Sequence, residues 1–557
     1  MKSFAHDQRV IDVKHLQSHK MLGLYLSAAA VFLILLHYYV LEPLLINPKS
    51  KIPGPKLYAL TKWRLALDDW RGERTRSIDR LHRQYGHAVR IGPNEIHFNS
   101  LNALQKIYGA GSGYERTFFY NMFDVYGRQN LFTFHSSKQH GERKKMLANA
   151  YSKSSMLKAP MTEMIEKRVD EYMDLLAATH EAPVDAFKTL HYFSIDSITH
   201  FLYGSNSGGT SALLGNPVDR ALLNDILDPA RRTLSWFAIH HPKFTKWLYT
   251  RTHTVERLLR PLLPMQKPAT YTGIRAHALK AYYDSRAISK SRSSNGSSRS
   301  TVIGELFSHA SVSSLDDLDI ASECADHLLA GIDTTADTLM FVFWALSLPE
   351  NKHVQERLIG EIRSMLRTSN GRSLSLVEAS EKLSYLDAVI KESLRLYAPL
   401  PASEPRTLPN TASVIDGYEI PAGTIVGMAP YGLHRLANVF EDPLVFKPDR
   451  WLEGDVATMN RYFWAFSSGG RMCIGKNLAQ AEMTTLVAAV YAKYTTGITP
   501  GFEGKSPAIT SRMELFYDET MPAYEVVCHG LSSEKPADRT SRSTYAPSSS
   551  ALCDSTY

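Results

Sequence analysis

The run Phe466-Ser467-Ser468-Gly469-Gly470-Arg471-Met472-Cys473-Ile474-Gly475 constrains this 557-residue chain more than any other. It surrounds one cysteine with what an iron-bound thiolate beside a porphyrin needs: a bend that presents sulfur, backbone N–H groups that spread its charge, and no bulky neighbour where a flat ring lies. Gly469, Gly470 and Gly475 permit that bend and close approach. The segment Lys476-Asn477-Leu478-Ala479-Gln480-Ala481-Glu482-Met483 follows with helical spacing, so Cys473 sits just before a helix N-terminus, whose partial positive charge favours thiolate over thiol. Arg471, two residues away, is able to pair with a propionate of such a ring. The competing reading is a buried structural cysteine in a glycine-rich turn.

Composition narrows the class further. With 44 % hydrophobic and 21 % charged residues, the chain matches a globular protein with a large core, not a disordered or many-span membrane protein. The net charge of +7 is scattered and forms no basic run, so no nucleic-acid binding is expected. Cys324, Cys473, Cys528 and Cys553 are far apart with no C-x-x-C pair. That excludes a disulfide framework and a zinc ribbon, and points to a reducing compartment.

Residues Met21 to Val40 carry no formal charge and at helical rise cross about 30 Å of hydrocarbon, which predicts one transmembrane helix over 21–40 after an N-terminal segment 1–20. A cleaved signal peptide is the rival, but the small residues Ala28-Ala29-Ala30 lie inside the apolar run instead of after it. Basic residues flank both sides, so charge gives little guidance on topology. Pro48, Pro53, Gly54 and Pro55 predict a stiff hinge over 41–56 that does not continue the helix. Ala88-Val89-Arg90-Ile91 and Glu95-Ile96-His97-Phe98, separated by Gly92-Pro93-Asn94, predict a β-hairpin. From about Leu101 to Leu396 the spacing is helical, so the fold class is mainly α with small β-sheets. The Ser-rich stretch Arg286 to Thr301 reads as an exposed loop, and residues 531–557 as a disordered polar tail.

The cysteine run resembles the ligand loop of the cytochrome P450 family, F-[GS]-x-G-x-R-x-C-x-G, and matches every fixed position. Three further stretches carry the same resemblance. Ala330-Gly331-Ile332-Asp333-Thr334-Thr335 interrupts the apolar pattern of Glu323 to Phe343 and looks like the family's oxygen-binding helix. Small residues at Ala330 and Gly331 leave room over a flat cofactor, and Thr hydroxyls bond carbonyls one turn back, loosening the helix. Glu392-Ser393-Leu394-Arg395 is similar to the family's E-x-x-R, and Phe446-Lys447-Pro448-Asp449-Arg450-Trp451 to its F-x-P-x-R-[WF]. Taken alone, charges at i and i+3 are ordinarily solvated. The resemblance covers nearly all of the chain between the hinge and the tail.

What it implies is an expectation at each position. The fold is the P450 fold over 57–530, with one N-terminal transmembrane helix before it. The cofactor is haem b (iron protoporphyrin IX), with Cys473 as the metal ligand and Phe466, Gly469, Gly475, Ala330 and Gly331 around it. Arg471 and Arg406 meet propionates, as do His140 and Lys144, which stand where the family's W-x-x-x-R pattern has Trp and Arg. Asp333 and Thr334 deliver protons to bound dioxygen, while Glu392, Arg395 and Arg450 form a buried structural network. Phe118, Phe119, Tyr120, Phe123 and Tyr126 suggest an apolar substrate pocket. Electrons come from NADPH-cytochrome P450 reductase, with cytochrome b5 as a further candidate, docking where Lys138, Arg143, Lys144, Lys145 and Lys476 offer positive charge. The activity implied is a monooxygenase acting on a hydrophobic small molecule with O2, a hydroxylation step in fungal secondary metabolism, at the endoplasmic reticulum membrane with the catalytic domain cytosolic. Desaturation, epoxidation, oxidative coupling, peroxygenation, or haem binding without turnover are the alternatives.

Overall fold

The computed structural model describes residues 20–531 apart from 181, 229–234, 238, 250–270 save 254 and 258, 292–300, 311–314, 369–374, 409, 500–507, 511–514 and 518–524. The first helix, α1 (Lys20–Ile46), has a mean hydropathy of 2.0 in its most apolar stretch, none of it buried, and is long and apolar enough to cross a membrane. It runs past Val40 through a π-helical segment, His37–Ile46, that contains Pro43. Residues 41–46, expected in the hinge, are therefore helical; π turns absorb the donor that proline lacks. The rest of the proline-rich stretch is docked on the body. Arg90 N–H donates to Pro53 O (2.8 Å), and Lys49 Nζ to Asn94 Oδ1 (2.6 Å).

After α2 (Arg74–Tyr85), closed by Gly86 at φ +94°, the predicted hairpin forms from β1 (Ala88–Gly92) and β2 (Glu95–Phe98), in register from Ala88↔Phe98 to Arg90↔Ile96 and shifted by one residue at Gly92↔Glu95. Ser100 caps α3 (Leu101–Tyr108), its hydroxyl accepting from Ala103 N–H. The other strands are β3 (Glu115–Arg116), β4 (Val184–Asp185), β5 (Arg406–Thr407), β6 (Ser413–Ile415), β7 (Tyr418–Ile420), β8 (Ile425–Gly427), β9 (Tyr494–Ile498), β10 (Ala508–Thr510), β11 (Leu515–Tyr517) and β12 (Glu525–Gly530). They form a sheet in the order β1-β2-β8-β5-β3, a smaller sheet β4-β12-β9, and the pairs β6-β7 and β10-β11. The pairing of β3 with β5 sets Arg116 directly opposite Arg406.

Helices make up the remaining core: α4 (Ser137–Leu147), α5 (Ala186–Tyr203), α6 (Thr272–Ser291), α7 (Asp317–Ser347), α8 (Ser384–Leu396) and α9 (Lys476–Lys493). Residues Arg286 to Ser291, expected in a loop, are the end of α6. Its buried stripe Ile274, Ala278, Ala281, Tyr282 and Ser285 carries the helix that far, and Arg286 pairs with Asp317. Residues 292–300 and the expected tail from 532 lie outside the described residues. Helix α7 starts on a capping box between Asp316 and Asp319 and is apolar on nearly all faces, so it is buried. It is long and apolar enough to span a membrane too, yet 72 % of its most apolar stretch is covered, which makes it the core helix. It packs against α5, α6, α8 and α9.

Candidate active site at the cysteine loop

The cysteine loop is held from four sides. Cys473 N–H donates to Phe466 O (2.8 Å), closing the bend. Gly469 takes φ +60°, and a Cβ there would lie 2.4 Å from Tyr108 O, so the loop presses on the end of α3 where no side chain fits. Lys144 Nζ on α4 donates to Gly470 O (3.1 Å) and Met472 O (2.7 Å). Arg471 donates to Phe134 O and His135 O, both at 2.7 Å. A Cβ at Gly475 would stand 3.9 Å from Cys473 Sγ. Cys473 as a residue keeps solvent exposure, although protein atoms surround its thiol. Burial raises the Cys473 thiol above its ordinary value, and the N–H groups of Gly475 and Lys476 and the charge of Lys144 offset this only in part. The helix start acts in the expected sense, its amides favouring thiolate, while desolvation works against them.

Around the loop stands a set of buried cations. Arg406 bonds Tyr120 Oη and Glu404 Oε2 (2.9 Å). Arg116, which sequence reasoning missed, donates to Leu131 O (3.1 Å) and to Phe132 O. Burial, then Arg406, pushes its pKa down to about 10. Burial, then Arg116 and Arg406, pushes Arg471 down to about 9. Arg116 and Arg471, depressed this far, are under-neutralised, whereas Arg406, opposite Arg116 across the sheet, is raised: burial lowers it, but Tyr120 and Glu404 favour its charge and prevail. The donor set therefore fits a flat ligand that carries carboxylates, as haem does. His140 is buried beside them and pushed down to about 2, by burial and then by Arg471 and Arg116. It is neutral, so it offers a propionate a hydrogen bond but no charge. The signal for Arg116 was absent locally: only strand pairing brings it to Arg406.

On α7, Thr334 Oγ1 donates to Ala330 O (2.7 Å) and Thr338 Oγ1 to Thr334 O (2.7 Å), the back-bonds anticipated from sequence. The helix nonetheless runs unbroken from Asp317 to Ser347. Ala330 is exposed between buried Leu328 and Ile332. Gly331 corrects an expectation: its Cβ would stand 2.5 Å from Ile198 Cγ1, so it is small to let α5 approach α7, not to clear space for a cofactor. Asp333 Oδ1 lies 3.7 Å from His191 Nε2 on α5.

Glu392, Arg395 and Arg450 are brought together in the core. Glu392 accepts from Arg395 Nε (2.9 Å) and Nη2 (2.8 Å), Arg450 Nε (3.0 Å), Lys447 N (2.9 Å) and Trp451 Nε1 (2.9 Å). Arg143, offered for partner docking, is buried instead and pairs with Glu323, which also meets His327 Nε2 (3.2 Å). Beside this pair lies Asp326, pushed up to about 7 by burial. Ligand atoms of Glu323, Asp326 and His327 lie within 4.8 Å of one another, but Arg143 already occupies the glutamate. Lys138, Lys145 and Lys476 remain exposed. Of the aromatic run, Tyr120 is buried, Phe119, Phe123 and Tyr126 are partly buried, and Phe118 is 84 % exposed.

A helix-rich body with a cysteine loop beside buried cations defines a class of thiolate-ligand haem proteins. The Cytochrome P450 family model matches residues 53–513, and the chain belongs to that family. It is similar to Cytochrome P450 monooxygenase orf2 of Aspergillus niger, 27 % identical over 466 residues, which cover 83 % of this chain and 89 % of that protein. It is also similar to Cytochrome P450 monooxygenase ORF11 of Penicillium roqueforti (28 % identical, 80 % and 89 % covered) and Cytochrome P450 monooxygenase stcB of Emericella nidulans (30 % identical, 82 % and 83 % covered). The protein is an oxidoreductase of monooxygenase type, with the haem-thiolate cofactor that the family implies.

Proposed function

We propose that the chain is a haem b monooxygenase, with Cys473 as the iron ligand, that hydroxylates a hydrophobic small molecule in fungal secondary metabolism. The observation that carries this is Cys473 on its glycine-bent loop, its N–H closed onto Phe466 O (2.8 Å), with Arg471 two residues away and Arg116 facing Arg406 across the sheet. When bound, haem supplies the activation of dioxygen and the one-electron chemistry. The chain supplies the rest. Arg471, Arg406, Arg116 and Lys144 neutralise the propionates, His140 adds a neutral donor, and Phe466, Gly469, Gly475 and Ala330 shape the faces. Asp333 and Thr334 hold protons on α7 for delivery. Glu392, Arg395 and Arg450 keep the body rigid beneath the loop. Residues 57–530 form the catalytic unit, with α1 as a single-pass anchor in the endoplasmic reticulum membrane and the body in the cytosol. NADPH-cytochrome P450 reductase provides electrons, with cytochrome b5 as a second donor, at a face carrying Lys138, Lys145 and Lys476.

The test is the absorption spectrum of the dithionite-reduced protein with carbon monoxide, beside Cys473→Ser. A strongly red-shifted Soret band that is lost in the variant is expected. Absence of haem, or an unshifted band indifferent to the substitution, would sink the assignment. With the band in hand, product analysis separates hydroxylation from desaturation, epoxidation or coupling.

A further inference from the structure

We propose that Glu404 is a positioning residue that sets the charge beside the ring carboxylates and so holds down the reduction potential of the bound haem. This rests on the reading of the buried cations as the site of those carboxylates. Of the cations there, Arg116, Arg406, Arg471 and Lys144, only Arg406 meets a carboxylate at ion-pair distance among the described residues: Glu404 Oε2 accepts from its Nη2 at 2.9 Å. The same oxygen accepts from Ser467 Oγ (3.2 Å), so it ties the start of β5 to the loop that carries Cys473. Ser467 stands at φ +57°, a left-handed setting that serine rarely adopts, and there its hydroxyl meets Glu404.

The backbone of Glu404 is pinned on both sides. Its N–H donates to Met428 O (3.0 Å), just past β8, and its carbonyl accepts from Tyr108 Oη, which in turn accepts Met428 N–H (3.0 Å). The Tyr108 ring packs on the Arg406 guanidinium (5.0 Å) and against Trp464, with centroids 4.5 Å apart. The Glu404 side chain keeps 17 % exposure and that of Arg406 2 %, so solvent screens the pair little. Tethering alone does not call for an acid, because a glutamine at 404 offers the same acceptor to Arg406 and Ser467. What the carboxylate adds is a negative charge. It keeps Arg406 ionised, since burial lowers that pKa while Tyr120 and then Glu404 raise it above the ordinary value. It also competes with the two ring carboxylates for the cations. When one electron passes from the reductase to the ferric iron, a fixed anion in the interior opposes the added charge and the cations favour it. Glu404 thus offsets part of the cations' effect and acts on electron entry, itself neither gaining nor losing an electron.

The experiment uses the full-length membrane-bound protein with Glu404→Gln, which keeps both acceptor contacts and loses the charge, and Glu404→Asp, which keeps the charge on a shorter side chain. Carbon monoxide spectra come first. Absence of the red-shifted band in the parent protein would sink the Cys473 reading and this proposal with it, whereas its presence leaves the remaining readouts to decide on Glu404 alone. The ferric–ferrous potential of each protein is then titrated spectroelectrochemically without substrate, and haem loss to excess apomyoglobin is timed. In Glu404→Gln the ferrous form is expected to gain roughly tenfold, a rise of about 59 mV. Haem loss should slow in that variant, because the cations then face the ring carboxylates without a competitor, and Glu404→Asp should keep the parent potential. A potential that stays put or falls in Glu404→Gln overturns the proposal. So does an equal shift in Glu404→Asp, which would assign the effect to displaced packing, or faster haem loss from Glu404→Gln, which would make the residue a tether.

Discussion

Gly331 and Gly469 both lie in motifs around the site, and they are small for different reasons. At Gly469 the backbone itself demands glycine: φ is +60° and the nearest atom to an added Cβ is Tyr108 O, which cannot swing away. At Gly331 the φ is ordinary and the obstacle is one branch of Ile198. Overpacking of this kind costs about 1–3 kcal/mol. Gly331→Ala is therefore expected to lower the unfolding free energy by that order, read as a lower urea midpoint, and Ile198→Ala in the same chain to recover part of it. Simple additivity of the two losses would show that the contact is not what requires glycine. The sequence displayed a small residue at 331; it held no trace of Ile198, which lies on another helix.

At the scale of elements, the cation sites divide into satisfied and unsatisfied groups. The Glu392 carboxylate meets N–H donors from α8, where Arg395 lies, and from the segment Lys447 to Trp451. Arg395 also donates to His434 O (2.8 Å) and Pro443 O (2.7 Å), so removing Glu392 leaves buried guanidiniums with carbonyls alone. Breaking a buried pair from one side costs about 3–5 kcal/mol. Glu392→Ala is expected to purify with little or no haem and with a reduced melting temperature; normal haem occupancy would contradict the network's role. This cluster was readable in outline, because its members sit in two recognisable motifs. Arg116 was not: a two-residue strand has no periodicity to detect, and its meaning comes from lying opposite Arg406.

Over the whole molecule, buried titratable groups set how stability follows pH. His434 donates from Nδ1 to Arg395 O (3.1 Å) and accepts Trp464 N–H at Nε2 (2.8 Å), so it has no place for a second proton. Burial, then Arg395, pushes it down to about 3, and burial holds His97 well below 6.5. Below pH 6.5 the unfolded chain binds protons that the native state refuses, so stability falls on acidification by about 1.4 kcal/mol per pH unit for each group. Glu482 has the opposite sign. Among the described residues its Oε1 meets no hydrogen-bond partner, and burial pushes its pKa up to about 8, so the native state keeps a proton that the unfolded chain loses above 4.5. Its contribution is lost as pH rises from 4.5 to 8. Together these three groups favour a maximum near pH 6.5. Melting temperatures from pH 5 to 8.5 should show both limbs, and Glu482→Gln should flatten the alkaline limb and steepen the acid one. By itself the sequence determined the family, the apolar N-terminal helix, the hairpin and the cysteine loop, because each is written in contiguous residues whose spacing carries its own geometry. The tertiary structure decided what depends on distant segments meeting: Arg116 opposite Arg406, Gly331 against Ile198, and Arg143 withdrawn onto Glu323. Charge and packing act across space, and neither leaves a local pattern to read.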